Sequence, residues 1–522
     1  MNRNIMLEKL HQKDPWDVLI VGGGATGLGC AVEAASRGHR TLLVEQSDFG
    51  KGTSSRSTKL VHGGVRYLKQ GNISLVREAL KERGLLLRNA PHVTSKLGFV
   101  IPRYRWWEGA FYGIGLKVYD ALAGNLTLGS SRLLSPQETL EHLPTLSQRG
   151  LRGGILYYDG QFNDSRLAIT LALTAADLGA CLLNYCRVTR LSFKNSRIAG
   201  AVLKDQIEGQ EYEVAARVVV NATGVYTDEI RRMEDTGARP LIRASQGTHI
   251  VLSGSFLPGR SALMIPRTED GRVLFAIPWQ ERTLVGTTDI PVEEVPLEPR
   301  PMHSEIEFLL DHSAQYLDRK PTIDDVLSTF TGLRPLVSNS ESSTTTASLS
   351  RDHSLLVSKG GLVTITGGKW TTYRKMAQDA IDNAEEIGSL GKVPSKTHTL
   401  RLHGAPREEE AENGDPLGIY GTNAGAIEAM TREDEALAVQ LSPDLPYIAA
   451  EVVWAVREEM AMTVEDVLSR RTRALILDAR AAIGCAPQVA RLMSRELKMD
   501  ASWIESQVEA FQELARAYLP RR

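Results

Sequence analysis

Gly22, Gly24 and Gly27 close the apolar run Val18-Leu19-Ile20-Val21, and a second run of small and apolar residues, Leu28 to Ala35, opens directly after them. A strand that stops at a G-x-G-x-x-G and resumes as a helix can seat a pyrophosphate. Gly22 permits the tight turn, Gly24 lets phosphate oxygens approach the backbone, and Gly27 lets helix and strand pack closely. The next apolar run, Thr41-Leu42-Leu43-Val44, ends in Glu45, at the spacing of a ribose-binding carboxylate. The chemistry implied is dinucleotide binding. Cations form the second set. Thr58-Lys59-Leu60-Val61-His62-Gly63-Gly64-Val65-Arg66-Tyr67, Gly332-Leu333-Arg334-Pro335 and Gly367-Gly368-Lys369 each put basic side chains beside backbone-exposing glycines. Taken singly, each of these cations reads as a surface salt bridge. Together they suit a small dianion, which needs several converging, hydrogen-bonded charges.

The elements that must position these residues follow from periodicity. Trp16 to about Leu60 reads as β-α-β and then a polar loop, Ser47 to Ser57. Leu75, Ala79, Leu80, Leu85 and Leu86 recur at helical spacing, and Asp164-Ser165-Arg166 opens another helix that runs to Gly179. Cys181 to Leu203 and Glu211 to Asn221 alternate as strands, and Arg217 to Gly224 again ends a buried strand at a small-residue turn, returning the chain to the nucleotide-binding sheet. Residues 240–300 predict an antiparallel sheet inserted beside that domain. Ser338 to Ser350 reads as a surface loop. Leu362 to Thr366 runs into Gly367-Gly368 and a helix through Met376 and Ala380, a second electropositive helix terminus. Beyond about residue 390 the glycine and strand pattern ceases. Val393-Pro394-Ser395 and Gly414-Asp415-Pro416 supply linker breakers, and the remainder reads as a separate helical domain, with a capping start at Thr463-Val464-Glu465-Asp466.

A chain of 522 residues exceeds one ordinary core, and 42% hydrophobic residues suffice to fill two or three. Lys+Arg of 61 against Asp+Glu of 63 gives a net charge of -2, which offers nucleic acid no bulk attraction. Cys30, Cys181, Cys186 and Cys485 form no C-x-x-C and no disulfide framework, as expected of a reducing compartment, and no metal site is expected of them. Met1 to Trp16 lacks the apolar core of a signal peptide, and no run of about 18 uncharged apolar residues reads as a spanning helix. One segment keeps a membrane surface in view. Arg103-Tyr104-Arg105-Trp106-Trp107 followed by Ala110 to Tyr119 combines aromatic, aliphatic and cationic residues as interfacial anchors do, and reads alternatively as a core helix with its aromatics inward.

These residues resemble a known family. The glycine loop with Glu45, Ser57 to Leu68, Asn221-Ala222-Thr223-Gly224, Gly247-Thr248-His249, Val285-Gly286-Thr287-Thr288-Asp289, Gly332 to Leu336 and Gly367 to Arg374 look like those of the FAD-dependent glycerol-3-phosphate dehydrogenases. The match runs in order from about Asp14 to the C-terminal helices, where Glu465 to Arg473 also resembles the family. The resemblance implies an α/β protein: an FAD-binding Rossmann-like domain, an interleaved antiparallel-sheet substrate domain and a C-terminal helical domain. The oxidoreductase region would span 1–390, with FAD-binding segments at about 14–90, 150–235 and 330–390 and substrate segments at about 91–149 and 236–329; the helical domain would span 391–522.

The implied reaction oxidises sn-glycerol 3-phosphate to dihydroxyacetone phosphate, with hydride passing from C2 to FAD and electrons passing on to a membrane quinone. Catalysis would fall to His249, Arg334 and Lys369, and Arg66, Tyr67 and Arg351 would bind substrate. His249 is the choice for the base, because histidine titrates near neutrality; it reads alternatively as a structural strand histidine, with Lys369 or Arg334 assisting. Contacts to FAD would come from Gly22, Gly24, Gly27, Glu45, Ser57, Thr58, Lys59, His62, Gly63, Gly64, Ala222, Gly224, Gly368 and Thr371. His62 reads alternatively as a plain turn histidine. The helix after Gly368 would point its positive end at the flavin pyrimidine ring. The serine- and threonine-rich stretch from Leu336 to Ser350 departs from the family pattern just before Arg351, and no calcium-loop pattern follows the C-terminal domain. The expectation is therefore a bacterial-type, cytoplasmic member, peripheral on the inner membrane if the aromatic segment anchors it, with a homodimer left open. Rival readings are an oxygen-using glycerol-3-phosphate oxidase, an amino- or hydroxy-acid oxidase, which needs one arginine rather than a cluster, and a flavin-binding protein without enzymatic activity.

Overall fold

The computed structural model describes residues 1–12, 14–64, 72–105, 108–266, 268, 271–337, 353–407 and 416–520. Runs of valine, leucine and isoleucine buried on both faces form a parallel sheet sandwiched by helices. Its strand order is His353–Val357, Val363–Gly367, Glu211–Asn221, Trp16–Val21, Thr41–Val44 and Cys181–Leu183, and His353–Val357 pairs antiparallel at one edge. Helices Ala25–Ser36, Asp164–Asp177 and Tyr373–Ile387 carry buried, alanine-rich faces into the same core. The register matters most. Val21 lies opposite Val44 on one side and Asn221 on the other, and Asn221 opposite Thr364. The Gly22 turn, Glu45, the Ala222 turn and Gly367 are thereby gathered at the carboxyl ends of adjacent strands, where open α/β sheets bind ligands.

The second sheet is larger than residues 240–300 suggested. It runs Ile290–Val292, Ile242–Ser253, Arg282–Gly286, Leu274–Trp279, Ser261–Ile265, Thr94–Pro102, Gly154–Phe162 and Leu60–Val61, and Val326–Val337 pairs along Ile242–Ser253. All its pairings are antiparallel except Ser261–Ile265 with Thr94–Pro102. Gly154–Phe162 and Val326–Val337, at the start of the segments expected from about 150 and 330 to bind FAD, pair in this sheet and not in the nucleotide-binding one. Alternation reveals a strand but not its partner, and these partners lie far away in the chain.

The C-terminal region is helical apart from a small hairpin, Gln440–Ser442 with Leu445–Ile448, and its helices Ala449–Glu459, Ala479–Leu497 and Ala501–Arg516 do not form a separate core. Val452, Leu468, Val489 and Phe511 share one apolar cluster with Phe99, Ile277, Trp279 and Phe330 of the second sheet. Thr463 and Asp466 cap one another reciprocally, as the sequence suggests, but the element that follows is a wide π-type turn, Asp466–Arg471. Arg470 and Arg471 of that turn are buried against Asp48, at distances of 2.5 and 2.7 Å.

Candidate active site

At the dinucleotide end, Gly22 has φ +109°, and a Cβ there would stand 2.7 Å from the Ala222 carbonyl oxygen. A Cβ on Gly27 would stand 1.8 Å from the Gly22 oxygen, so the helix Ala25–Ser36 can lie this close to the strand only without one. A Cβ on Gly24 would meet only Ser54 Oγ, at 3.1 Å, and Gly24 borders the cavity. Glu45 accepts hydrogen bonds from Gly23 N at 2.7 Å and Ser47 N at 2.9 Å; burial pushes its pKa up, against the pull of those two donors. A side-chain-free cradle at a helix N-terminus, with a carboxylate one strand away, fits the pyrophosphate and ribose of FAD.

A cavity of about 470 Å³ continues from this cradle past Ser57, Thr58 and Gly224 to His62, His249, Arg334 and Lys369. Strand pairing builds that inner end. His249 lies opposite Gly286 and Phe330, and Gly247 opposite Gly332. A Cβ at Gly286 would sit 2.0 Å from His249 Cδ2, and one at Gly247 would sit 2.3 Å from Arg334 Nη2. These glycines make room for the imidazole and the guanidinium. Arg334 is then held by donating to Thr287 Oγ1 at 3.1 Å, the Thr288 carbonyl at 3.0 Å and Asp289 Oδ1 at 3.3 Å. His249 is 2% exposed, and its Nε2 shares a 2.9 Å hydrogen bond with Thr58 Oγ1. Burial, then the charges of Lys59 and Arg334, hold its pKa well below the usual histidine range, so the ring is neutral.

Lys369 lines the cavity at the start of the turn Trp370–Thr372, which leads into the helix Tyr373–Ile387. Thr371 Oγ1 accepts from His62 N at 3.2 Å and Trp370 Nε1 donates to the Ser54 carbonyl at 2.8 Å, tying the two glycine-rich segments together. Gly63 N donates to Tyr119 Oη at 2.8 Å and to Asp159 Oδ1 at 3.3 Å, and Asp159 is itself paired with Arg83 at 2.9 Å.

The structure thus brings Gly22, Gly24, Glu45, Ser57, Thr58, His62, Gly64, Ala222, Gly224, His249, Arg334, Gly368, Lys369 and Thr371 to one cavity. Gly27 and Gly63 stand behind its wall, and the Lys59 side chain turns away from it, fully buried against Asp164. Arg66, Tyr67 and Arg351 lie outside the described residues. Sequence reasoning missed the Cys186-Arg187-Val188 edge beyond Glu45 and the wall made by Tyr157, Asp159, Met264 and Phe275. The alternation of these strands was readable, but which face would border a ligand was not.

A family model described as FAD dependent oxidoreductase matches residues 17–374, and one described as the C-terminal domain of alpha-glycerophosphate oxidase matches residues 363–503. The chain is 42% identical over 541 residues to the mitochondrial glycerol-3-phosphate dehydrogenase of Macaca fascicularis, an alignment covering 97% of this chain and 74% of that protein. It is 40% identical over 547 residues to the mitochondrial glycerol-3-phosphate dehydrogenase of Arabidopsis thaliana, covering 97% of this chain and 86% of that one. A solved structure, the glycerol-3-phosphate dehydrogenase from Bacillus halodurans complexed with FAD, superposes with a TM-score of 0.81 at 28% identity, covering 100% of this chain and 98% of that chain. The L-alpha-glycerophosphate oxidase from Mycoplasma pneumoniae shares the fold, with a TM-score of 0.58 at 19% identity over 73% of this chain and 97% of that one.

Proposed function

The chain belongs to the FAD-dependent glycerol-3-phosphate dehydrogenases, and we propose that in this reaction His249 takes the proton of the substrate's C2 hydroxyl while Arg334, Lys369 and Arg66 hold its phosphate. FAD, when bound, supplies the acceptor for the hydride that leaves C2. The supporting observation is the convergence of His249 and Arg334 on one cavity wall, each housed by a glycine of a paired strand. A neutral imidazole can accept a proton at neutral pH, and a guanidinium fixed by the oxygens of Gln246, Thr287, Thr288 and Asp289 can grip an anion without reorganising. The positive end of the helix Tyr373–Ile387, together with Lys369, favours negative charge inside the cavity.

Electrons leave, on this reading, to a quinone at a membrane surface. No helix among the described residues is long and apolar enough to cross a membrane. The helix Glu108–Ala123 buries Leu116 and Tyr119 while Val118 stays 44% exposed, and Leu133 in the adjoining strand Arg132–Leu134 is 57% exposed. Lys117 Nζ donates to the Ser131 carbonyl beside them, so an apolar surface and a cation occur together. Trp106 and Trp107 lie outside the described residues.

Anaerobic mixing with sn-glycerol 3-phosphate tests the assignment through bleaching of the flavin band. Rapid bleaching in the wild type, slowed at least a hundredfold in Arg334→Ala and Lys369→Ala, is expected. A yellow protein that stays oxidised rejects it. Reoxidation by dissolved oxygen as fast as by a quinone would make the chain an oxidase instead. Replacing both Trp106 and Trp107 by alanine should release the protein from anionic liposomes while dye-linked activity persists; retained liposome binding removes the membrane proposal.

A further inference from the structure

Lys59 has φ +62°, a left-handed conformation that disfavours a side chain, and yet its side chain is 0% exposed. It is also absent from the cavity wall. Its Nζ donates to Asp164 Oδ2 at 2.6 Å and to the Ser55 carbonyl at 3.0 Å, and stands 4.7 Å from the centroid of Phe330. Phe330 in turn stacks on His249, with ring centroids 4.6 Å apart and planes within 8°. His249 borders the cavity while Phe330 and Lys59 do not, so the phenyl ring stacked on the imidazole and the ammonium over that ring both lie off the cavity.

We propose that Lys59 and Phe330 are positioning residues for His249, a cation and ring stacked behind the imidazole that fix its plane and keep it unprotonated until substrate delivers the proton. Protonating His249 would place a positive charge on a ring stacked against Phe330, over which the Lys59 ammonium already stands. The cations around the imidazole are Lys59 and Arg334, and their counter-ions are Asp164, which also accepts from Arg473 Nη2 at 3.1 Å, and Asp289. Burial, opposed by Asp164, brings the Lys59 pKa down to about 7. Below that pH the ammonium form prevails, and this is the range in which an ordinary histidine would take a proton from water. Thr58, the neighbour of Lys59, holds the same imidazole at Nε2. One short segment therefore controls both the orientation and the charge of the ring.

The inference rests on His249 being the base, and the experiment separates the two. The pH dependence of flavin bleaching by sn-glycerol 3-phosphate is measured in the holoenzyme and in Lys59→Gln, Lys59→Arg, Phe330→Leu and His249→Asn. Lys59→Gln should move the acid limb up by about one pH unit, because removing a nearby like charge lets the imidazole protonate more readily. Lys59→Arg should leave the limb in place. A limb unmoved in Lys59→Gln but abolished in His249→Asn overturns the proposal and spares the base. A limb that survives in His249→Asn overturns both. If Lys59→Gln fails to retain FAD, Phe330→Leu decides. It leaves the ion pair and the substrate cations intact and should lower kcat about tenfold with KM unchanged; an unchanged kcat overturns the proposal.

Discussion

Gly247 and Gly286 show what single residues contribute here. Sequence reading treats the glycines beside Arg66, Arg334 and Lys369 as a way to expose backbone and gives Gly247 and Gly286 no such role; both serve to house a side chain from the neighbouring strand. Gly247→Ala would put a methyl group 2.3 Å from Arg334 Nη2. The guanidinium must then leave Thr287 and Thr288, and kcat/KM for glycerol 3-phosphate should fall ten- to a hundredfold while the flavin spectrum shows FAD still bound. A Cβ at Gly27, 1.8 Å from the Gly22 oxygen, acts on the other ligand. Gly27→Ala should cost about 1–3 kcal/mol or more through overpacking and yield largely colourless protein, checked by flavin absorbance per chain. Arg334 and Lys369 were legible as candidates because each is a cation beside glycine, and His249 through the family resemblance. Cross-strand contacts were not, because Gly247 and Arg334 are 87 positions apart and meet only through register.

Among the elements, the π-type turn Asp466–Arg471 has the largest influence on a distant part of the site. Arg471 Nη1 and Nη2 donate to Asp48 at 2.7 and 3.0 Å, Arg470 reaches Asp48, Glu465 and Asp466, and Lys51 joins Glu465 at 2.8 Å. Asp48 belongs to the loop that follows Glu45, so C-terminal arginines brace the nucleotide end of the cavity. Arg471→Met removes one partner of a buried pair, which costs about 3–5 kcal/mol. The melting temperature followed by released flavin fluorescence should fall accordingly, and an unchanged melting curve would show the pair to be dispensable. The sequence shows a helix start at Thr463 to Asp466 and a family resemblance over Glu465 to Arg473, but not this turn. Asp48, which it braces, lies more than 400 positions away, and no local periodicity encodes that distance.

For the whole molecule, acid tests how these contacts add up. Arginines hold the carboxyls of Asp48 and Glu459 below their usual range, Lys59 and Arg473 do so for Asp164, and Arg470 and Lys51 lower Glu465 to about 2. Groups depressed in the folded state add stability above their unfolded pKa near 4 and lose it as pH falls toward the folded value. Thermal melts should therefore show these groups' contribution intact above about pH 5 and lost between about pH 4 and 2, with FAD released in the same transition. The parallel sheet, its helices and the C-terminal helices were readable from patterning. Two features were not: the recruitment of Gly154–Phe162 and Val326–Val337 into the second sheet, and the merging of that sheet's core with the C-terminal helices. A chain ended at residue 390 would bare Phe99, Ile277 and Trp279, and should be recovered as insoluble protein.

The arginine clamp also bears on the order in which the molecule can be made. Asp48 is synthesised more than 400 residues before Arg470 and Arg471, and Asp164 some 309 residues before Arg473. A nascent chain on the ribosome holds the glycine cradle long before it holds the charges that brace it, so firm capture of FAD must wait until Arg470 to Arg473 have been made.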